Sequence, residues 1–100
     1  MTRRTTDPIA KFVRWFHEAR RLNIPKYEAV ALATARRGGQ PSVRFVLLKG
    51  IDQRGFVFFT DTRSRKGREL RGNPRAALAF YWQPQGRQVR VEGHVEEVTR

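Results

Sequence analysis

The stretch SVRFVLLKG, residues Ser42–Gly50, lies near the middle of the 100-residue chain and decides how the rest can fold. Five of its nine residues are aliphatic or aromatic, which favours a packed strand over a helix. Core strands rarely carry charge unless something anionic meets it, so Arg44 and Lys49 indicate an anion site. An odd number of positions separates Arg44 from Lys49, so a regular strand places their side chains on opposite faces. Either a β-bulge redirects one of them, or two sides of a subunit interface share the site.

An amphipathic helix is predicted upstream of this strand. Asp7 suits the N-cap, Pro8 suits the first helical position, and Asn23–Pro25 ends the helix. Its apolar residues recur at helical spacing, and they are Ile9, Phe12, Val13, Phe16, Ala19 and Leu22.

Alternating hydrophobicity predicts five short strands downstream of the helix. Their expected bounds are Ala29–Ala35, Pro41–Ile51, Phe56–Thr60, Ala76–Trp82 and Gln88–Val98. Ser64 is a suitable N-cap for a short helix over Arg65–Arg71, which Gly72–Pro74 ends. The predicted fold class is mainly β (α+β): an antiparallel sheet that curls towards a barrel, with an N-terminal amphipathic helix and a short helix between strands 3 and 4.

The charge placement in the short helix is unusual. Arg65 and Lys66 occupy its first turn, where the positive end of the helix dipole repels cations by roughly a few tenths of a kcal/mol. Exposed backbone N–H groups beside two cations form a cradle for a phosphate. The alternative is a solvated basic helix with no ligand.

Composition limits the classes of partner. The chain is long enough for one domain, residues 1–100, and its net charge of +12, with 17 arginines among 21 basic residues, admits phosphates, nucleic acid or anionic lipid. The lack of cysteine fits a reducing compartment, and the N-terminal residues show no signal-peptide pattern. The longest apolar run, Ala76–Trp82, is too short to cross a bilayer. We therefore expect a cytoplasmic protein.

Motifs for other chemistries are missing from the sequence. It contains no His/Cys cluster at metal-ligand spacing, no glycine-rich nucleotide motif and no catalytic triad. We predict no metal and no catalytic side chain, and we interpret His17 and His94 as structural or surface residues. The segment Arg54–Phe59 is somewhat similar to the aromatic strand of RNA-binding domains, but a packed strand explains its phenylalanines equally well.

Several segments together resemble the pyridoxamine 5'-phosphate oxidase family. In chain order, the segments that carry the resemblance are Asp7–Pro8, Ala31–Thr34, Arg44–Gly50, Arg54–Thr60, Ser64–Gly67, Asn73–Pro74 and Arg87–Gly93. The match runs over nearly the whole chain, in the order and spacing of the family.

The resemblance implies a split β-barrel that forms a homodimer, with FMN bound in a cleft between the subunits. Arg65 and Lys66 would bind the FMN phosphate, Gln88 would hydrogen-bond the flavin ring, and Lys49 would also reach the phosphate of the substrate. The full set of residues expected to contact FMN is Arg44, Phe45, Val46, Leu47, Leu48, Lys49, Phe59, Thr60, Arg65, Lys66 and Gln88.

The implied activity is the oxidation of pyridoxamine or pyridoxine 5'-phosphate to pyridoxal 5'-phosphate, with O₂ as acceptor, in vitamin B6 salvage. In this family a hydride passes from C4' of the substrate to N5 of the flavin, and the cofactor carries the difficult chemistry. Further substrate contacts of the family would lie beyond Arg100, so we expect either a fragment of a longer oxidase or a short relative. The alternatives are a phenazine-biosynthesis-type oxidase or flavin binder, and a basic nucleic-acid-binding barrel.

Overall fold

In a computed structural model, the chain forms a five-stranded antiparallel sheet with two helices. The structure describes residues 7–52, 55–59 and 64–96. In chain order, the elements are α1 (Pro8–Arg21), β1 (Ala29–Ala35), β2 (Pro41–Asp52), β3 (Gly55–Phe58), α2 (Arg65–Gly72), β4 (Arg75–Trp82), a 3₁₀ turn (Gln83–Gln85) and β5 (Arg87–His94). The predicted fold class is confirmed, because the sheet curls into half of a barrel.

The strand order in the sheet is β3-β2-β1-β4-β5. A glycine turn joins β1 to β2, where Gly39 has a φ of 97° that a residue with a Cβ rarely adopts. The segment containing α2 then carries the chain from the edge strand β3 back across the sheet, so that β4 pairs with β1. This crossing places α2 beside β1 and β2.

Helix α1 has the predicted start. The side chain of Asp7 accepts a hydrogen bond of 3.0 Å from the backbone N–H of Ile9, and Pro8 occupies the first helical position. The helix ends at Arg21, after which Asn23 adopts a φ of 56°. Capping at one end and a left-handed residue just beyond the other therefore limit α1 to the amphipathic segment that the sequence indicates.

The apolar core lies between α1 and the inner face of the sheet. Phe12 is at its centre, with its ring centroid 4.9 Å from those of Phe56 and Phe80 and 5.9 Å from that of Trp82. The indole N–H of Trp82 donates a hydrogen bond of 2.9 Å to the carbonyl of Tyr27, so this polar atom is satisfied. Phe56, one of the phenylalanines whose strand suggested nucleic-acid stacking, therefore packs against the core.

Two predicted strand ends are wrong. The third strand ends at Phe58, so Phe59 follows it, and Thr60 lies outside the described residues. The fifth strand ends at His94 instead of Val98. Beside the end of β5, the carbonyl of Pro74 accepts a hydrogen bond from the N–H of Val95. Proline has no N–H with which to donate the next hydrogen bond to β5, so the pairing of β4 with β5 ends here.

Strand β2 separates two environments. Exposure alternates along it, so that Ser42, Arg44, Val46 and Leu48 face inwards, whereas Val43, Phe45 and Leu47 are 67%, 76% and 48% exposed. We define the outer face as these three side chains together with the residues that continue their rows on β1 and β4, namely Ala29, Ala31, Ala33, Ala77, Ala79 and Tyr81. The outer face is thus an exposed apolar surface with an alanine-lined centre.

Candidate functional site

A cleft of about 290 Å³ opens between β2 and the N-terminal end of α2. Ser64 begins this helix, and its hydroxyl accepts a hydrogen bond of 3.2 Å from the N–H of Gly67. The residues lining the cleft are Ser42, Val43, Arg44, Ser64, Arg65 and Lys66. Three residues predicted to bind the anion therefore come together here, namely Arg44, Arg65 and Lys66, although the first is 21 and 22 positions from the other two in the chain.

Arg44 is held in place by hydrogen bonds across the inner face. Its Nη1 donates to the carbonyl of Leu32 at 3.1 Å and to the hydroxyl of Thr34 at 2.9 Å. Its Nη2 donates to the hydroxyl of Ser42 at 2.7 Å and to Oε1 of Glu69 at 3.2 Å. Because four acceptors on three elements fix one guanidinium, Arg44 is a rigid part of the cleft wall.

Glu69 is the residue of the cleft network that the sequence reasoning missed. Its side chain is only 5% exposed, and Oε1 accepts hydrogen bonds from Thr34 at 2.6 Å and Ser42 at 2.7 Å in addition to the one from Arg44. Its Oε2 accepts a bond of 3.0 Å from Nε of Arg65. The signal in the sequence was the i, i+4 spacing of Arg65 and Glu69, which is common on solvated helix faces and does not reveal burial.

These contacts stabilise the ionised form of Glu69. Hydrogen bonds from Thr34 and Ser42 lower its pKa most, burial opposes them by raising it, and the bonds from Arg65 and Arg44 lower it further. The pKa falls from its ordinary value of 4.5 to about 2. Glu69 is therefore a carboxylate at neutral pH, and the network around it is an ionic one.

The charges of the cleft favour a doubly charged anion. Arg44, Arg65 and Lys66 contribute three positive charges, and Glu69 beneath them contributes one negative charge, which leaves an excess of two. A phosphate monoester carries between about one and a half and two negative charges at neutral pH. The first turn of α2 adds backbone N–H groups that have no acceptor within the helix. This donor set fits the phosphate of a phosphorylated ligand.

Lys49 and Phe59 lie apart from the cleft. The pairs Leu48↔Phe58 and Gly50↔Val57 leave Lys49 as the extra residue of a β-bulge. A bulge is one of the two arrangements that the sequence allowed, but Lys49 stays exposed like Phe45 and Leu47. Its Nζ is 6.0 Å from the centroid of the Phe59 ring, a distance at the limit of a cation–π contact. The bulge does not bring Lys49 into the cleft with Arg44.

The remaining predicted contacts are dispersed. Leu48 is buried and Val46 packs against the core, so both side chains are used in folding. Gln88 is exposed on the edge strand β5, opposite Tyr81. Phe45 and Leu47 belong to the outer face, and Thr60 lies outside the described residues. A single chain therefore brings three of the predicted residues, Arg44, Arg65 and Lys66, to one cleft, and the other predicted contacts lie on other surfaces.

Two further expectations concern metals and membranes. Among residues 7–52, 55–59 and 64–96, no group of three or more His, Cys, Asp or Glu side chains could hold a metal ion. In the same part of the chain, neither helix has the length and apolar content needed to cross a bilayer.

Sequence comparisons identify similar proteins. The family profile described as pyridoxamine 5'-phosphate oxidase matches residues 16–100. A pyridoxine/pyridoxamine 5'-phosphate oxidase of Cupriavidus taiwanensis is 58% identical over 93 residues, which cover 93% of this chain and 44% of that protein. The corresponding protein of Bordetella pertussis is 54% identical with the same coverage. The chain thus spans less than half of the length of the curated relatives it matches.

Solved structures with the same fold agree with this result. PhzG from Burkholderia lata, crystallised with tetrahydrophenazine-1-carboxylic acid, superposes with a TM-score of 0.85 at 37% identity, covering 90% of this chain and 45% of that one. A pyridoxamine 5'-phosphate oxidase-related, FMN binding protein from Nostoc punctiforme gives a TM-score of 0.77 at 24% identity, covering 91% of this chain and 47% of that one. The second likeness shows the fold alone.

The ionised Glu69 predicts a specific loss of stability in acid. Because its pKa is lower in the folded chain than its ordinary 4.5, its contribution is fully present above about pH 4.5 and is lost as the pH falls through about 2. We expect the midpoint of thermal unfolding, followed by circular dichroism, to fall across this window. In Glu69→Gln the midpoint should be lower at pH 7 and should fall less between pH 4.5 and 2. Parallel curves for the two proteins would contradict the assignment.

Proposed function

This chain belongs to the pyridoxamine 5'-phosphate oxidase family, and we propose that it binds FMN and serves an FMN-dependent oxidation of pyridoxamine or pyridoxine 5'-phosphate. The observation that carries the proposal is the convergence of Arg44, Arg65 and Lys66 around one cleft at the start of α2. Their charge suits a phosphate monoester, which is the group that FMN and the proposed substrates share.

The phosphate of FMN would lie in the cleft, held by Arg65 and Lys66 with Arg44 in the wall. The side chains proposed for the ring and the substrate, including Lys49, Phe59 and Gln88, come from other surfaces of the chain. When bound, FMN supplies a two-electron acceptor that O₂ can reoxidise. The residues described here bind and orient, and their cations favour ligands with negative charge.

The identity of the substrate rests on the relatives. Relatives named pyridoxine/pyridoxamine 5'-phosphate oxidase are 53–58% identical to the chain, whereas the phenazine-binding structure is 37% identical. We therefore propose pyridoxal 5'-phosphate as the product, O₂ as the acceptor, and Lys49 as a contact of the substrate phosphate. An oxidase acting on a tetrahydrophenazine carboxylic acid is the second candidate, since PhzG has the same fold over 90% of this chain.

A homodimer is part of the same proposal. The outer face exposes Phe45, Val43 and Leu47 beside a row of alanines, and a contiguous exposed apolar surface on a sheet is typical of an interface. Lys49 is exposed on the same side of β2. A second copy docked there would cover the apolar residues and would bring one chain's Lys49 and Phe59 to the interface, where the family places FMN.

Nucleic-acid binding is the weaker alternative. It requires exposed aromatic side chains on which bases can stack, but Phe56 packs against Phe12 with centroids 4.9 Å apart, and Phe58 packs against the core. The net charge of +12 remains compatible with it. The packing of Phe56 and Phe58 thus removes the aromatic strand that suggested this alternative.

The phosphate site can be tested with Lys66→Ala. Loss of one charged contact should weaken FMN binding by about 1.5–3 kcal/mol, or roughly ten- to 150-fold in Kd, measured by quenching of flavin fluorescence. Arg71→Ala is the matched control, because it removes a cation from the last turn of α2, outside the cleft. Equal affinities for Lys66→Ala and the unmodified chain would remove Lys66 from the site.

The substrate can be tested by peroxide release from the chain loaded with FMN. We expect H₂O₂ from pyridoxine and pyridoxamine 5'-phosphates, and none from pyridoxine without its phosphate or from tetrahydrophenazine-1-carboxylic acid. Peroxide from the phenazine compound alone would support the second candidate. Retained FMN with no turnover of any of these compounds would contradict the oxidase proposal and leave cofactor binding standing.

The dimer can be tested with Phe45→Glu, which places a charge at the most exposed apolar position of β2. Sedimentation velocity should show a dimer for the unmodified chain and a monomer for the variant, since a charge buried without a partner is strongly unfavourable. Arg37→Glu, in the turn between β1 and β2, is the control and should stay dimeric. A monomeric unmodified chain, or a dimeric Phe45→Glu variant, would refute the outer face as the interface.

A further inference from the structure

Glu69 has no role in the function proposed so far, yet its carboxylate accepts hydrogen bonds from three residues that line the cleft, Ser42, Arg44 and Arg65. A negative charge beneath an anion site weakens binding by direct repulsion. A buried carboxylate in this position therefore needs a reason beyond charge balance. The reason lies in the donors that bond to its two carboxylate oxygens.

The two oxygens of Glu69 have different partners. Oε1 accepts from Thr34 on β1 and from Ser42 and Arg44 on β2, whereas Oε2 accepts from Nε of Arg65 on its own helix. Arg44 donates to three other acceptors and stays anchored without Glu69. Arg65 has a side chain that is 62% exposed, so a fixed position for its guanidinium depends strongly on the bond to Oε2.

We propose that Glu69 is a positioning residue, which holds the guanidinium of Arg65 at the edge of the cleft so that it is already oriented when a phosphate monoester binds. The inference rests on the proposed function. An exposed arginine loses rotamer freedom when it binds a ligand, and an arginine that is already oriented loses less. Glu69 thus contributes to affinity by ordering a cation, and this contribution exceeds its repulsion of the phosphate.

The bond to Arg65 is present over the whole neutral range. The groups that face Glu69 are the cations Arg44 and Arg65 and the hydroxyls of Thr34 and Ser42, and all four donate to it. The lowered pKa of Glu69 is consistent with these four donors. Glutamine at position 69 keeps the size of the side chain and an oxygen for the donors at Oε1. Its amide group would face the N–H of Arg65, so the substitution breaks that bond selectively.

The test compares FMN with riboflavin, which lacks the phosphate. The readout is the Kd for riboflavin divided by the Kd for FMN, because a general loss of folding lowers both affinities and leaves this ratio unchanged. We expect Glu69→Gln to lower the ratio about tenfold, the effect of losing one well-placed charged contact. Glu18→Gln is the control: Glu18 also accepts bonds from an arginine and an amide, but on α1, and the ratio should not change.

Two results would overturn the proposal. An unchanged ratio with a lower unfolding temperature would make Glu69 a purely structural residue, and a raised ratio would show that repulsion dominates. If Glu69→Gln does not fold, Glu69→Asp serves instead, because the shorter carboxylate cannot reach Arg65 and its other donors together, and the same results apply. An unmodified chain with no preference for FMN would refute the proposed function as well.

A double-mutant cycle identifies the route of the effect. If Glu69 acts through Arg65, then adding Glu69→Gln to Arg65→Ala should change the ratio less than twofold, because the positioned group is already gone. A full tenfold further loss in the Arg65→Ala background would exclude Arg65 as the group that Glu69 positions.

Discussion

The contacts of the Glu69 carboxylate join three elements of the structure. Thr34 lies on β1, Ser42 and Arg44 lie on β2, and Arg65 lies on α2. Burying a carboxylate is unfavourable unless its oxygens are satisfied, and here each oxygen accepts at least one bond from a cation. Leu70 is the one apolar side chain that helix α2 buries. The position of α2 on the sheet therefore depends on an ionic network to a greater extent than that of α1 does.

The inner face of the sheet has an apolar end and a polar end. At one end, Phe12 of α1 packs against Phe80 and Trp82, and these aromatic contacts need no charge. At the other end, Arg44 and Thr34 lie under α2 in a polar environment. Because the two ends are covered by different helices, the core can remain packed while the cleft carries an excess of positive charge. This division explains how a small chain tolerates three cations around one cleft.

The sequence predicted the elements and singled out the three cations that line the cleft, but not the carboxylate beneath them. Periodicity gave both helices and all five strands within a few residues, since one face of each is buried. The cations in the first turn of α2 indicated an anion, because they oppose the helix dipole. Glu69 could not be recognised, since its burial results from α2 packing on β1 and β2. The end of β5 was missed for a similar reason: Pro74, which stops the ladder, belongs to another segment.

The six-residue run Arg44–Lys49 shows why a continuous motif need not form one surface. A strand alternates its side chains, so Arg44, Val46 and Leu48 face inwards while Phe45, Leu47 and Lys49 are exposed on the other side. Val46 and Leu48 are used by the core, which leaves Arg44 at the cleft and the exposed residues on the opposite side. If the whole run contributes side chains to one cofactor site, a single chain cannot supply it. The alternation of side chains along β2 therefore favours the proposed site from two chains, in which this strand would line the phosphate cleft with one face and form the interface with the other.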